Sequence, residues 1–158
     1  MRFFLIALGF LTLNFGGLAV GSWFTGPGVT SDWYQGLDKA PWTPPGYVFG
    51  AAWTTVMIGF SWFMYAAWTR TPQRRERLVW LIWFAVSWVL NALWNPLFFG
   101  AQELGWALLE ILILFAVIAA MAKKGARQAS LGAARWGIAP YILWLTVAIS
   151  LNMWLVFS

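Results

Sequence analysis

Five apolar runs, at about residues 3–24, 47–68, 78–99, 104–122 and 136–157, constrain this chain more than any other feature. Each is close to the ~20 residues that a helix needs to cross a hydrocarbon core about 30 Å thick. In lipid a backbone must satisfy its own polar groups, so runs of this length read as spanning helices. The expected fold is an all-α integral membrane protein, one domain over residues 1–158, a bundle of five transmembrane helices. Composition agrees: with 61% apolar, 20% aromatic and 9% charged residues the chain cannot give a soluble globule a polar surface. A separate soluble domain is not expected.

The basic residues orient the bundle. Arg2, Arg70, Arg74, Arg75, Arg77, Lys123, Lys124, Arg127 and Arg135 all fall on one side of a five-span arrangement, and Lys39 alone falls on the other. The positive-inside rule then makes the N-terminus and the second and fourth loops cytoplasmic. The net charge of +5 is thus read as topology, with no nucleic-acid partner. The pattern fits a bacterial cytoplasmic membrane. A signal peptide is the competing reading of the first run, because Arg2 precedes it and Ala19, Gly21 and Ser22 are small. The run is long for that role, and its loss would break the alternation of charge between loops.

Cysteine and histidine are absent, which removes thiolate nucleophiles, disulfides, imidazole bases and the usual zinc or haem ligands. No metal site, no resident cofactor and no catalytic residue are expected. Glu110 is the one acid well inside a span, and its position allows two readings, a functional carboxyl or a shallow one that snorkels to the interface or stays protonated. No second carboxylate stands near it in sequence to form an acid/base pair.

Tryptophan is abundant, at 14 residues. Trp23, Trp33, Trp42, Trp68, Trp80, Trp106, Trp136 and Trp154 sit near span ends, where an interfacial aromatic belt accounts for them. A deeper set remains: Trp53, Trp62, Trp83, Trp88, Trp94 and Trp144, with Asn14, Asn91, Asn95 and Asn152. Polar groups at depth face the bundle interior or a cavity. Helical spacing aligns Phe84, Ser87, Asn91, Asn95 and Phe98 on the third span. It does the same for Trp53, Met57, Phe60 and Met64 on the second, and for Tyr141, Trp144, Ala148 and Asn152 on the fifth. These stripes either converge on a pocket or serve as interhelical packing. Gly17 and Gly21 form a GxxxG pair, suited to packing within the bundle or to a dimer face. Pro96 and Pro140 are expected to bend the third and fifth helices. The proline-rich first loop reads as an ordered cap, with Trp33, Lys39 and Trp42 as possible lid or ligand-contact residues.

Three segments resemble the TspO/translocator-protein family of tryptophan-rich sensory proteins. They are WYxxLxK and WTPPG in the first loop (Trp33, Tyr34, Leu37, Lys39 and Trp42 to Gly46), LNxLWxPxFFG in the third span (Leu90 to Gly100), and PYxxW followed by LN in the fifth (Pro140, Tyr141, Trp144, Leu151, Asn152). Lys39-Ala40-Pro41 departs from the family's usual Lys-Pro by one residue.

The resemblance implies a five-helix bundle, often a homodimer, whose first loop covers a pocket for porphyrins such as protoporphyrin IX and for benzodiazepine-type ligands. Matching positions place Tyr34, Pro44, Trp53, Asn91, Trp94, Trp144 and Ala148 around it. Lys39 is suited to a propionate. Porphyrin is then a ligand, bound in metal-free form for want of His or Cys. The implied function is porphyrin sensing, transport or regulation. Alternatives are light-dependent porphyrin degradation, or a structural, partner-binding membrane subunit. Residues Met153 to Ser158 lack the Tyr and Lys/Arg of the animal cholesterol motif, so cholesterol transport is not expected.

Overall fold

Every long apolar run is helical in the computed structural model, which describes residues 1–158 apart from the side chain of Arg2. The elements are α1 (Arg2–Val29), α2 (Asp32–Gln35), α3 (Gly46–Arg70), α4 (Arg74–Asn95), a π-turn (Pro96–Gly100), α5 (Leu104–Ala126), a 3-10 stretch (Ala129–Ile138) and α6 (Ala139–Phe157). Five of the helical segments are long and apolar enough to cross a membrane. Their outward faces carry bare hydrophobic side chains, among them Trp62, Ile82, Leu109 and Leu143. Only lipid covers so much apolar surface without cost, and the chain is an integral membrane protein.

The helices close into a ring. α1 packs on α3 and α4, α3 on α6, α6 on α5, and α5 on α4, so the order around the bundle is α1, α3, α6, α5, α4. Phe60, Phe63, Met64, Trp80, Leu114 and Tyr141 fill its centre at 0–2% exposure. At one end Lys124 Nζ reaches Glu76 Oε2 at 2.6 Å, tying α5 to the first turn of α4. Arg70, Arg74, Arg77 and Arg135 belong to the same end and Lys39 to the opposite one. The side chain of Arg2, counted with them in the sequence, lies outside the described residues.

Two glycines decide how α1 sits. A Cβ on Gly17 would stand 2.8 Å from Trp88 Nε1, and one on Gly21 would stand 2.5 Å from Asn95 Nδ2. The GxxxG pair is therefore consumed by α4 within one chain and is not a free dimer face.

Several local expectations need correction. Pro140 does not bend the last helix: it occupies the first turn of α6, where no intrahelical N–H is required. Pro96 ends α4 and opens the π-turn, with Ala101 N donating to Pro96 O at 2.8 Å. The second basic loop is largely helical. α5 carries Lys123 and Lys124 in its last turn, and Ala129–Ile138 winds as a 3-10 stretch interrupted at Gly132, whose φ is +54°. Leu131, Ala134 and Gly137 are buried at intervals of three, the period of a 3-10 helix. Trp80, expected at the interface, is fully buried against Phe63 at 5.5 Å. Trp62 keeps its expected depth along α3 but turns outward, 47% exposed on the lipid-facing side.

Candidate functional site

α3, α4 and α6 bring one aromatic wall together. Trp53 lies edge-to-face with Tyr141 at 5.9 Å and with Trp144 at 6.3 Å, and Phe49 closes on Trp144 at 5.2 Å. Such T-shaped pairs set the positive ring edge against the negative face. Phe49 is one turn before Trp53 on α3, so both rings reach the same turn of α6. Asn91 Nδ2 donates to Tyr141 Oη at 2.9 Å, joining α4 to α6 at hydrocarbon depth. Trp144 is buried and its Nε1 has no partner among the described residues.

A second aromatic group sits nearer the first loop. Trp94 stacks on Phe98 at 4.6 Å, and its Nε1 donates to Asn152 Oδ1 at 3.4 Å. Asn152 Nδ2 in turn donates to Leu104 O at 3.2 Å, securing the start of α5. The π-turn presents Phe98 and Phe99 to the loop. Trp33 meets Phe98 at 5.6 Å, and Tyr34 meets Phe99 at 5.5 Å.

The loop is ordered by its own chemistry. Ser31 caps α2 by accepting from Tyr34 N at 3.2 Å, and Gln35 Nε2 donates to Val29 O at 2.6 Å. Lys39 Nζ lies 4.6 Å from the Tyr34 ring centre, a cation–π contact. Burial pushes the Tyr34 phenol above its ordinary value. At the loop's far end Trp42 packs on Trp154 at 5.2 Å and donates to Ser150 Oγ at 3.2 Å. One segment thus reaches from the π-turn to the end of α6.

Of the residues singled out in the sequence, Trp53, Asn91 and Trp144 gather around Tyr141, while Trp94 and Tyr34 gather around Phe98 and Phe99. Ala148 is half-buried against the core beside them on α6, and Pro44 is half-buried just before α3. The remaining asparagines divide. Asn95 turns to α1, its Oδ1 accepting from Thr25 Oγ1 at 2.6 Å, and Asn14 Nδ2 donates to Ser61 Oγ at 2.8 Å. Sequence reading left Phe49 out, although its spacing of four from Trp53 marks it. It placed Tyr141 on a stripe without identifying it as the hub.

The space between these groups is nearly filled. A cavity of about 10 Å³ lies among Asn14, Met57, Phe60, Ser87, Asn91 and Tyr141. An open groove of about 280 Å³ runs between α3 and α6, bounded by Ala52, Thr55, Leu143, Trp144 and Val147. Trp144 has one side on this groove and the other on the aromatic wall. Pockets for drug-sized ligands measure roughly 300–1,000 Å³, so a large ligand requires these rings to turn or the loop to lift. Glu110 is 7% exposed, which argues against a carboxyl that snorkels to the interface, and neither carboxyl oxygen has a partner among the described residues.

A model of the TspO/MBR family matches residues 9–157. The human translocator protein is 34% identical over 148 residues, 92% of this chain and 85% of the relative. The tryptophan-rich sensory protein of Cereibacter sphaeroides is 31% identical over 124 residues, 77% and 73% of the two chains. The tryptophan-rich protein TspO of Archaeoglobus fulgidus is 34% identical over 134 residues, 84% and 82%.

Proposed function

The chain belongs to the TspO/MBR family, and from that premise we propose that it binds tetrapyrroles of the protoporphyrin IX type in the membrane and acts in porphyrin sensing, transport or regulation. The observation that carries this reading is the wall of Trp53, Trp144 and Tyr141 with the Asn91 amide at its edge. Indole faces stack on a flat conjugated macrocycle, and an amide bonds to its polar rim. Tyr34, Pro44, Trp94 and Ala148 extend the proposed lining, and the first loop is the proposed cover. Lys39, which lies over the Tyr34 ring, is the proposed contact for a propionate. Benzodiazepine-type ligands use the same aromatic wall. The charge pattern supports a cytoplasmic N-terminus in a bacterial membrane. A homodimer, which family membership suggests, uses a face other than Gly17 and Gly21.

The test is a titration of the detergent-solubilised protein with protoporphyrin IX, in the dark and then under light, following tryptophan fluorescence and porphyrin absorbance together. Saturable quenching with a stable porphyrin spectrum is the expected result. Loss of the porphyrin band that depends on both light and protein would identify a degrading enzyme. Absence of quenching would leave a structural, partner-binding subunit.

A further inference from the structure

The cavity where α1, α3, α4 and α6 meet is small, but its wall is chemically specific. Its volume of about 10 Å³ matches the room that one water molecule needs, at about 10–15 Å³. It lies where α1, α3, α4 and α6 meet, and the side chains that reach it leave matched hydrogen-bonding groups unused. Asn14 is 4% exposed; its amide nitrogen donates to Ser61 Oγ, and its Oδ1 accepts from no protein donor among the described residues. Asn91 spends its amide nitrogen on Tyr141 Oη, which leaves Asn91 Oδ1 in the same state. Tyr141 Oη accepts that bond, and its own O–H donates to no protein acceptor among the described residues. Ser87 Oγ donates to Phe84 O at 2.9 Å and keeps its lone pairs.

The inventory is two amide oxygens that need donors and one hydroxyl that needs an acceptor. A dry apolar cavity is stable, whereas a polar one inside hydrocarbon is costly to leave empty. We propose that the cavity holds one ordered water, which accepts from the Tyr141 O–H and donates to Asn14 Oδ1 and Asn91 Oδ1. A buried water makes about three hydrogen bonds, and these partners supply that number with both donors and acceptors balanced. Ser87 Oγ stands by as a further acceptor.

The water links α1 to the aromatic wall. Asn14 contributes nothing to the proposed ligand lining, yet through the water it holds the Asn91 amide in the rotamer that meets Tyr141. Asn14 is accordingly a positioning residue for ligand binding. This part rests on the proposed function, whereas the water site stands on the cavity and its partners alone.

The experiment pairs a high-resolution structure from a lipidic mesophase with porphyrin titrations of the wild type, Asn14→Leu and Tyr141→Phe. One density peak within hydrogen-bonding distance of Asn14, Asn91 and Tyr141 is expected in the wild type and no peak in Asn14→Leu, whose branched side chain fills the space. Affinity of Asn14→Leu for protoporphyrin IX should fall about two- to twelvefold, the range of one lost hydrogen bond. Tyr141→Phe keeps the ring and removes the hydroxyl, both the proposed donor to the water and the acceptor of the Asn91 bond, so it tests the site should Asn14→Leu not fold, and its peak should weaken or vanish. A dry cavity in the wild type overturns the water site, and so does an unchanged peak in both variants. Unchanged affinity in Asn14→Leu overturns the positioning role. A wild type that shows the water and binds no porphyrin sinks the tetrapyrrole reading and leaves the water site in place.

Discussion

The Asn91 amide and the Tyr141 hydroxyl meet at 2.9 Å, and this bond is the junction between the packing of the bundle and its proposed site. It joins α4 to α6 at a depth where no bulk water competes, and Tyr141 simultaneously touches Trp53 and Phe60 of α3. Asn91→Ala should therefore lower stability in detergent by about 0.6 and at most about 1.7 kcal/mol, the average and the upper value for interhelical hydrogen bonds in a membrane, and weaken porphyrin binding as well. Thermal unfolding of the variant checks the first effect and porphyrin absorbance titration the second.

Trp53 is half-buried and edge-on to both Tyr141 and Trp144. Trp53→Leu keeps an apolar side chain and removes the π face. Porphyrin affinity should drop about two- to twelvefold, the equivalent of an aromatic pair worth about 0.5–1.5 kcal/mol. The porphyrin absorbance band is the readout, since tryptophan fluorescence changes with the substitution itself. Affinity equal to the wild type would remove Trp53 from the site.

Gly21 leaves no room for a side chain, because a Cβ would stand 2.5 Å from Asn95 Nδ2. Gly21→Leu must displace the Asn95 side chain and break the Thr25 to Asn95 hydrogen bond. A loss of about 1–3 kcal/mol is expected for such overpacking. Gly16, one residue from Gly17, has open space around its Cβ position, so Gly16→Leu should leave the melting temperature nearly unchanged. Equal melting temperatures for Gly21→Leu and the wild type would contradict the α1–α4 contact.

Glu110 is buried with neither oxygen partnered among the described residues. An uncompensated buried polar group costs about 1–3 kcal/mol, so Glu110→Leu should raise thermal stability by a similar amount. A lower melting temperature would show that the carboxyl has a partner, such as a bound water.

Tyr34 titrates at the first loop, outside the spans. Burial raises its phenol above 10.0, so the folded loop holds the proton more tightly than the unfolded chain. The native state binds more protons as the pH passes 10, and the stabilising contribution, full below that pH, is lost as the pH rises through the folded value. Loop order, followed by protease nicking between Asp32 and Pro45, should fall in that alkaline range and remain intact in Tyr34→Phe, which has no phenol to ionise.

Much of the fold is legible in one dimension. Run length against membrane thickness predicts five spanning helices, and the grouping of Arg70, Arg74, Arg77, Lys124 and Arg135 predicts which ends lie together. Both properties are local sums along the chain. The family is legible too, because the loop, third-span and fifth-span motifs occur in order and need no contact information. Periodicity recovers the Met57, Phe60 and Met64 stripe on α3, all three of which are buried.

Partners are another matter. In lipid the spans are apolar on every side, so amphipathic contrast does not tell which face of α3 or α6 turns inward. Spacing alone groups Asn95 with Asn91 on α4, although Asn95 bonds to α1. The sequence by itself determined how many helices there are, how long they run and which ends carry charge, because hydrocarbon thickness and the desolvation of charge act on each segment separately. Only the tertiary structure decided the ring order and the choice of Tyr141 as hub, because a buried amide or indole finds its partner on another helix, and that depends on how each helix is rotated about its own axis.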